Sequence, residues 1–208
     1  MVIKRLFLIG LWSVFGACES IIPESPLEEE VLDGPIEGLS KAEQSRFLAG
    51  DIAFNEVFFE DNGLGPLFVA SMKFNPPAVT GLGLLSALTD QQILSNADPF
   101  DSDGDGISGV PNYITPPDYF IAQWFHSPSN GQYIGRFGKK AAAIDLLQQT
   151  VGAYNQDMGI TSTFEPVDTS TGLSTDPEVS DQTIRDIVFY LRTLKDPIQR
   201  NPNDAQII

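Results

Sequence analysis

The sequence predicts a mainly α fold with long ordered loops. Two segments carry apolar residues at close to helical spacing, and each begins with a side chain suited to cap a helix. No segment keeps the alternation of apolar and polar residues that is typical of a strand. Apolar residues make up 42% of the 208 residues and 14 residues are Phe, which is enough for the core of one domain.

Residues 1–17 have the features of an export signal. Lys4 and Arg5 precede an apolar run from Leu6 to Gly16, and small residues follow it. The run is well short of the roughly 20 residues that span a bilayer as a helix. We therefore expect the segment to be cleaved.

Cys18 is the predicted lipidation site. The residues Phe15, Gly16, Ala17 and Cys18 are similar to a bacterial lipobox, in which the cysteine is diacylated and becomes the first residue. Phe15 stands where Leu or Val is usual, so an ordinary secretory signal with an incidental cysteine is the alternative. With lipidation, the protein would be anchored to a membrane of the cell envelope, on its periplasmic side or outer surface.

Composition excludes several kinds of chemistry. Cys18 is the only cysteine, so the sequence has no disulfide, no CxxC pair and no CxxCH motif for haem attachment. Loss of Lys4 and Arg5 with the signal would take the net charge from −16 to −18. Nucleic acid is therefore excluded as a partner of the folded part. Residues 18–38 are acidic and rich in proline, which predicts a solvated tether.

The first helix is predicted to begin after Ser40, which forms a capping box with Glu43. Gly63, Gly65 and Pro66 are expected to end it. Its predicted apolar face consists of Phe47, Leu48, Ala53, Phe54, Val57 and Phe58.

Three further helical segments are predicted. Residues 90–95 give one or two turns, and Lys139 to Asn155 gives a longer helix. The last helix begins after Ser180 and ends before Pro197. Its apolar stripe consists of Ile184, Ile187, Val188, Leu191 and Leu194.

A calcium-type loop is predicted between Asp101 and Asn112. Asp101, Asp103 and Asp105 occupy loop positions one, three and five, and Ile107 would offer its backbone carbonyl at position seven. Gly106 permits the sharp bend, and Asp98 could supply a further oxygen. Position twelve is Asn112 instead of the bidentate Glu of an EF-hand, and an acidic surface turn without a cation is the alternative.

His126 is the only histidine, and it lies beside Trp124 and Phe125. A histidine can ligate a metal or haem iron, but one beside aromatic residues is more often a partly buried hydrogen-bonding group. A single histidine does not make a conventional zinc site.

Five segments in order resemble one family. They are GLGLLSAL at 81–88, DPFDSDGDGISGVPN at 98–112, IGRFGKKAA at 134–142, YNQDMGITS at 154–162 and DIVFYLRTLKDPIQR at 186–200. Residues 39–208 therefore resemble part of the di-haem oxidoreductases, also called thiol oxidoreductases, which are related to the di-haem cytochrome c peroxidases. The resemblance implies a cytochrome c-like domain, haem c as cofactor and an electron-transfer or peroxidase-like activity.

The haem motifs of that family are missing. The first would be expected soon after Phe68, where we expect an internal deletion, and the second after Arg200, where we expect a truncation. The resemblance also implies that a first helix containing Gly50 and Phe54 crosses a last helix containing Tyr190 and Leu191.

Two functional hypotheses follow. The chain is either part of a di-haem oxidoreductase that needs a haem-bearing remainder or a redox partner, or a non-enzymatic, calcium-stabilised envelope lipoprotein with a binding or scaffolding role. By itself the chain is expected to be inactive as a peroxidase.

Overall fold

The computed structural model describes residues 34–56, 79–169 and 171–196. All of the described residues belong to one compact unit within Leu32–Ile208. The predicted export signal, Cys18 and the tether as far as residue 33 lie outside the described residues. None of the described helices combines the length and the apolar character that a bilayer crossing requires.

The fold is helix-rich with one small sheet. Strands β1 (Tyr113–Ile114) and β2 (Tyr133–Ile134) pair in antiparallel register, with Tyr113 opposite Ile134. The helices are α1 (Lys41–Phe54), α2 (Leu82–Ala87), α3 (Asp90–Ser95), α4 (Leu146–Gly152), which continues as a π-helical segment (Ala153–Met158), and α5 (Asp181–Thr193). The sequence did not predict the sheet, because two-residue strands are too short to show alternation.

The predicted helix caps of α1 and α5 are confirmed. The Ser40 hydroxyl accepts from the Glu43 N–H at 3.4 Å, and the Glu43 carboxylate accepts from the Ser40 N–H at 2.9 Å. The Ser180 hydroxyl accepts from the Thr183 N–H at 3.1 Å. The predicted segment 90–95 is also confirmed as α3.

The predicted end of α1 was wrong, and its predicted apolar face is confirmed only in part. The helix ends at Phe54, because the Asn55 amide side chain donates to the Asp51 carbonyl at 3.0 Å and closes the last turn. Phe47 is buried as predicted, but the Leu48 side chain is 57% exposed. Val57, Phe58 and the predicted stop at Gly63 to Pro66 lie outside the described residues.

The predicted helix from Lys139 to Asn155 begins later than expected. Gly138 adopts φ +77°, and a tight turn there brings Phe137 opposite Ala143. Asp145 then caps α4 by accepting from the Gln148 N–H at 2.8 Å. Residues 139–145 therefore form a turn and a cap, and the helical path runs past Asn155 to Met158.

The core forms where α1 crosses α5, the most extensive contact between described helices. Ile184, Ile187 and Leu191 are buried on α5 as predicted. A Cβ added at Gly50 would lie 2.6 Å from the Tyr190 Cβ and would also clash with the Asp186 carbonyl. The predicted crossing at Gly50 is therefore confirmed.

The beginning of the described region also packs on α5. The Ile36 N–H donates to the Thr193 carbonyl at 2.8 Å, and the Lys195 N–H donates to the Gly34 carbonyl at 2.9 Å. Residues 34–36, which the sequence places in the solvated tether, are thus hydrogen-bonded to the end of the last helix.

Candidate functional site

The acidic loop brings together the three carboxylates that the sequence singles out. One carboxylate oxygen each from Asp101, Asp103 and Asp105 lies within 4.8 Å of the other two. Asp101 is partly buried, while Asp103 and Asp105 are exposed. Oxygens gathered in this way match the ligand preference of a hard cation such as calcium.

Backbone geometry holds the loop in this bend. Gly104 and Gly106 adopt φ values of +76° and +85°, which a glycine reaches without steric cost. The Asp101 Oδ1 accepts from the Gly106 N–H at 3.1 Å, and the Asp105 Oδ1 accepts from the Ile107 N–H at 2.7 Å. Backbone hydrogen bonds between Asp98 and Gly109, at 2.9 and 3.0 Å, close the base of the loop.

Asp98 organises the loop instead of standing free as a further ligand. Its Oδ2 accepts from the Ser102 N–H at 2.7 Å and from the Asp103 N–H at 3.4 Å, and its Oδ1 accepts from the Ser102 hydroxyl at 3.0 Å. Desolvation raises the pKa of Asp98, but the hydrogen bonds from Ser102, Asp103 and Phe100 together outweigh it, so the pKa lies below its usual value.

Two other loop positions differ in their surroundings. The Ile107 side chain is 70% exposed, so its contribution would come from the predicted backbone carbonyl. The Asn112 amide donates to the carbonyls of Ala141 and Lys140 at 3.1 and 3.3 Å. The side chain at loop position twelve, Asn112, therefore connects the loop to the turn before α4.

The structure also contains a cleft that the sequence did not reveal. It has a volume of about 470 Å³ and lies between α2, α5 and the segment 121–126. Its walls include Gly83, Phe125, His126, Arg136, Asp145 and Arg192. A Cβ added at Gly83 would clash with the Arg192 carbonyl, so glycine is what lets α2 approach α5 at this wall.

Arg136 and Asp90 form a buried ion pair behind the cleft. The Arg136 Nη1 also donates to the Leu88 carbonyl at 2.6 Å, and the Asp90 Oδ2 accepts from the Ser127 N–H at 2.6 Å. Burial lowers the pKa of Arg136, and the charge of Asp90 opposes that shift. The Arg136 Nε–H has no acceptor among the described residues. The sequence feature that could have pointed to this pair is Arg136 itself, a charged residue between Gly135 and the apolar Phe137.

His126 is held by hydrogen bonding and aromatic packing. Its Nδ1 accepts from the Gln123 N–H at 2.9 Å, so the neutral ring carries its proton on Nε2. The ring lies 4.5 Å from the Phe125 ring and 5.3 Å from the Phe120 ring, centre to centre. Burial lowers the pKa of His126. These contacts confirm the interpretation of His126 as a partly buried hydrogen-bonding residue.

A covalently bound haem does not fit the residues of this chain. The attachment of one haem c takes two cysteines and a histidine in a CxxCH motif. The described residues contain no cysteine, so their one histidine, His126, does not belong to such a motif. Across all 208 residues the single cysteine is Cys18.

The comparison with protein families gives one match. A family model described as "di-haem oxidoreductase, putative peroxidase" matches residues 69–208. The match covers more than half of the chain and includes the acidic loop, the cleft and α5. Neither a curated protein nor a solved structure matches the chain.

Proposed function

The chain belongs to the di-haem oxidoreductase family, and we propose that it is a haem-free part of an exported electron-transfer or peroxide-reducing system. In this proposal, a second polypeptide supplies the haem segments. The observation that carries the proposal is a family match over residues 69–208 in a chain whose only cysteine is Cys18.

The packing of α1 and α5 supports a cytochrome c-like arrangement. The two helices cross at Gly50, where their backbones come close, and the rings of Phe47 and Phe54 lie 4.9 and 5.4 Å from the ring of Tyr190. Such a crossing of a first and a last helix is what the family resemblance implies. The chain would thus contribute a folded support and a docking surface for the haem-bearing polypeptide, while that polypeptide contributes the redox centre.

Coexpression with a haem-bearing neighbour tests this role. The DNA on either side of the coding sequence is read for a CxxCH motif, and the polypeptide that carries it is produced with and without this chain in a host that attaches haem c. We expect the two to purify together and to oxidise a reduced electron donor with hydrogen peroxide faster than the haem protein alone. Turnover by this chain alone, or the same rate with and without it, would contradict the proposal.

A second candidate function rests on the acidic loop. In this case the protein is a non-enzymatic envelope lipoprotein with a scaffolding role, and calcium held by Asp101, Asp103, Asp105 and the Ile107 carbonyl stabilises it. The clustering of the three carboxylates within 4.8 Å favours this candidate. It predicts a calcium-dependent melting temperature and no gain of peroxidase activity in the coexpression experiment.

Lipid anchoring at Cys18 belongs to both candidates. Mass spectrometry of the mature protein from a bacterial host should give an N-terminal diacylated cysteine, and Cys18→Ser should abolish the modification. A mature N-terminus at any other residue would contradict the lipobox interpretation.

A further inference from the structure

The arginines are distributed unevenly over this acidic protein. Two adjoining concavities, of about 470 and 280 Å³, share Ile121, Gln123, Asp145 and Arg192 in their walls, and we call them together the arginine groove. The four arginines of the described residues all line it. They are Arg46, Arg136, Arg185 and Arg192. With a net charge of −16 on the whole chain, a groove walled by cations is the place where an anion is attracted.

Two of the four guanidinium groups are already neutralised. Arg136 pairs with the buried Asp90, and the Arg46 Nε donates to the Asp186 carboxylate at 2.8 Å. Neither Arg185 nor Arg192 has a carboxylate partner among the described residues. The Arg185 guanidinium lies 5.2 Å from the centre of the Phe164 ring, a contact that leaves its N–H donors available.

The spacing of these two arginines defines the shape of a ligand. Arg185 and Arg192 are seven residues apart on α5, which is about two turns or roughly 10 Å along the helix axis. Val188 lies between them and lines the groove, and Ile121, 75% exposed, lines it from the facing segment. The groove thus presents a cation, an apolar stretch and a second cation.

Asp145 restricts the charge of the ligand. It is the carboxylate common to both concavities, and its Oδ1 accepts from the Gln148 N–H at the start of α4. Because a carboxylate repels a like charge, Asp145 disfavours an anionic group placed directly beside it in the groove. The attraction of an anion therefore depends on the guanidinium groups that have no carboxylate partner.

We propose that the arginine groove binds an organic dicarboxylate with an apolar middle, one carboxylate on Arg185 and the other on Arg192. Each planar guanidinium offers parallel N–H donors that match the two oxygens of a carboxylate. The larger concavity, at about 470 Å³, is by itself in the range typical of small-molecule sites, about 300 to 1,000 Å³ for a whole pocket. The site is independent of haem and of the proposed redox role.

Calorimetry with linear dicarboxylates tests the site. The full-length chain is titrated with the series from butanedioate to dodecanedioate at low salt, with decanoate as the one-charge control. We expect the affinity to peak at a length that spans two helical turns, and decanoate to bind at least tenfold more weakly than the best dicarboxylate.

Matched variants assign the binding to the two arginines. Arg185→Gln and Arg192→Gln should each weaken the best dicarboxylate about tenfold or more, whereas Lys139→Gln, which removes an exposed cation outside the groove, should leave it unchanged. Circular dichroism confirms that each variant is folded. The proposal is overturned if no dicarboxylate binds, if the three variants bind alike, if length makes no difference, or if a polyglutamate peptide binds while every dicarboxylate fails.

Discussion

The three carboxylates of the acidic loop are each engaged by the backbone that carries them. Asp101 accepts from Gly106, Asp103 from Asp105, and Asp105 from Ile107, at 2.7 to 3.2 Å. These hydrogen bonds use the same side chains that a cation would use, and they hold the loop in its bend. A cation would therefore meet ligands that are already ordered, which lowers the entropy cost of binding.

Calcium is expected to stabilise the protein through this loop. Because Asn112 is bonded to the turn at 140–141 and supplies no bidentate carboxylate, we expect a Kd on the order of 10⁻⁴ to 10⁻³ M. Free calcium at a hundred times Kd would add about 2.7 kcal/mol to the free energy of unfolding. Thermal melting with calcium and with chelator measures the effect.

The control variants separate a site from general charge screening. Asp103→Ala should abolish the calcium response and change the chelated protein by no more than about 0.5 kcal/mol, as is usual for an exposed position. Asp118→Ala removes the same charge at an exposed position outside the loop and should keep the full response. If the wild type melts at one temperature in calcium and in chelator, the loop is an acidic turn only.

A pH dependence follows from Asp98. Its pKa in the folded protein lies below the unfolded value, so its ionised form stabilises the fold above the unfolded pKa, and this contribution is lost as the pH falls through the folded pKa. Asp98→Asn should therefore lower the free energy of unfolding at pH 7, and the difference from wild type should shrink below about pH 4. Urea titrations of wild type and Asp98→Asn at pH 7 and below about pH 4 measure this difference in the free energy of unfolding. An equal difference at the two pH values would mean that the carboxylate charge is not involved.

At the residue scale, the sequence revealed only what depends on local spacing. The clustering of Asp101, Asp103 and Asp105 was predictable because they lie within five positions and a glycine marks the bend. The pair of Arg136 and Asp90 joins residues 46 positions apart, and the arginine groove is lined by residues of α1, α2, α4, α5 and the loops between them. Contacts of this kind are set by tertiary packing, which the spacing of residue types does not encode.

At the scale of secondary-structure elements, we expect the crossing of α1 and α5 to be important for the stability of the described fold. Gly50→Leu should destabilise the protein by about 1 to 3 kcal/mol, because a side chain there would overlap Tyr190 and the Asp186 carbonyl. Gly50→Ala should also destabilise the protein, since the clash begins at the Cβ atom. Chemical denaturation measures both.

Gly152 provides the matched control. It is helical, and a Cβ added there meets nothing within 4 Å. Gly152→Ala should be neutral or stabilising by up to about 1 kcal/mol. A denaturation midpoint unmoved by Gly50→Leu would place Gly50 away from the helix contact and contradict the packing described above.

Helices were predictable where the sequence contains a capping residue, an apolar stripe and a residue that ends the helix. The last helix has a capping serine and an apolar stripe, and it was predicted with its cap. Residues 139–145 were assigned to a helix because Ala142, Leu146, Val151 and Tyr154 suit the apolar positions of one helix. Gly138 and Asp145 instead set a turn and a later helix start. The short α2 has no side-chain cap, and its position depends on the contact of Gly83 with α5.

At the scale of the whole molecule, a family of haem proteins is represented by a chain that offers no attachment point for haem. The family match covers residues 69–208, and the described residues, none of which is a cysteine, include the helix crossing at Gly50. The buried residues around α1, α4 and α5 form a hydrophobic core, with Phe137, Leu146, Ile184 and Leu191 among them.

The protein is therefore expected to carry no covalent haem when it is exported in a host with active cytochrome c maturation. Thioether bonds need cysteine thiols beside a histidine, and the chain has only Cys18, at a position far from His126 in sequence. The purified protein is denatured, extracted with acidic acetone and examined by its absorbance spectrum and intact mass. Both should match the unmodified polypeptide, apart from processing at the N-terminus. A variant with a CxxCH motif inserted after Phe68 serves as the positive control for maturation, since it should retain haem absorbance through the extraction. Haem absorbance that stays with the wild-type polypeptide would refute the prediction, and it would also remove the need for a haem-bearing partner.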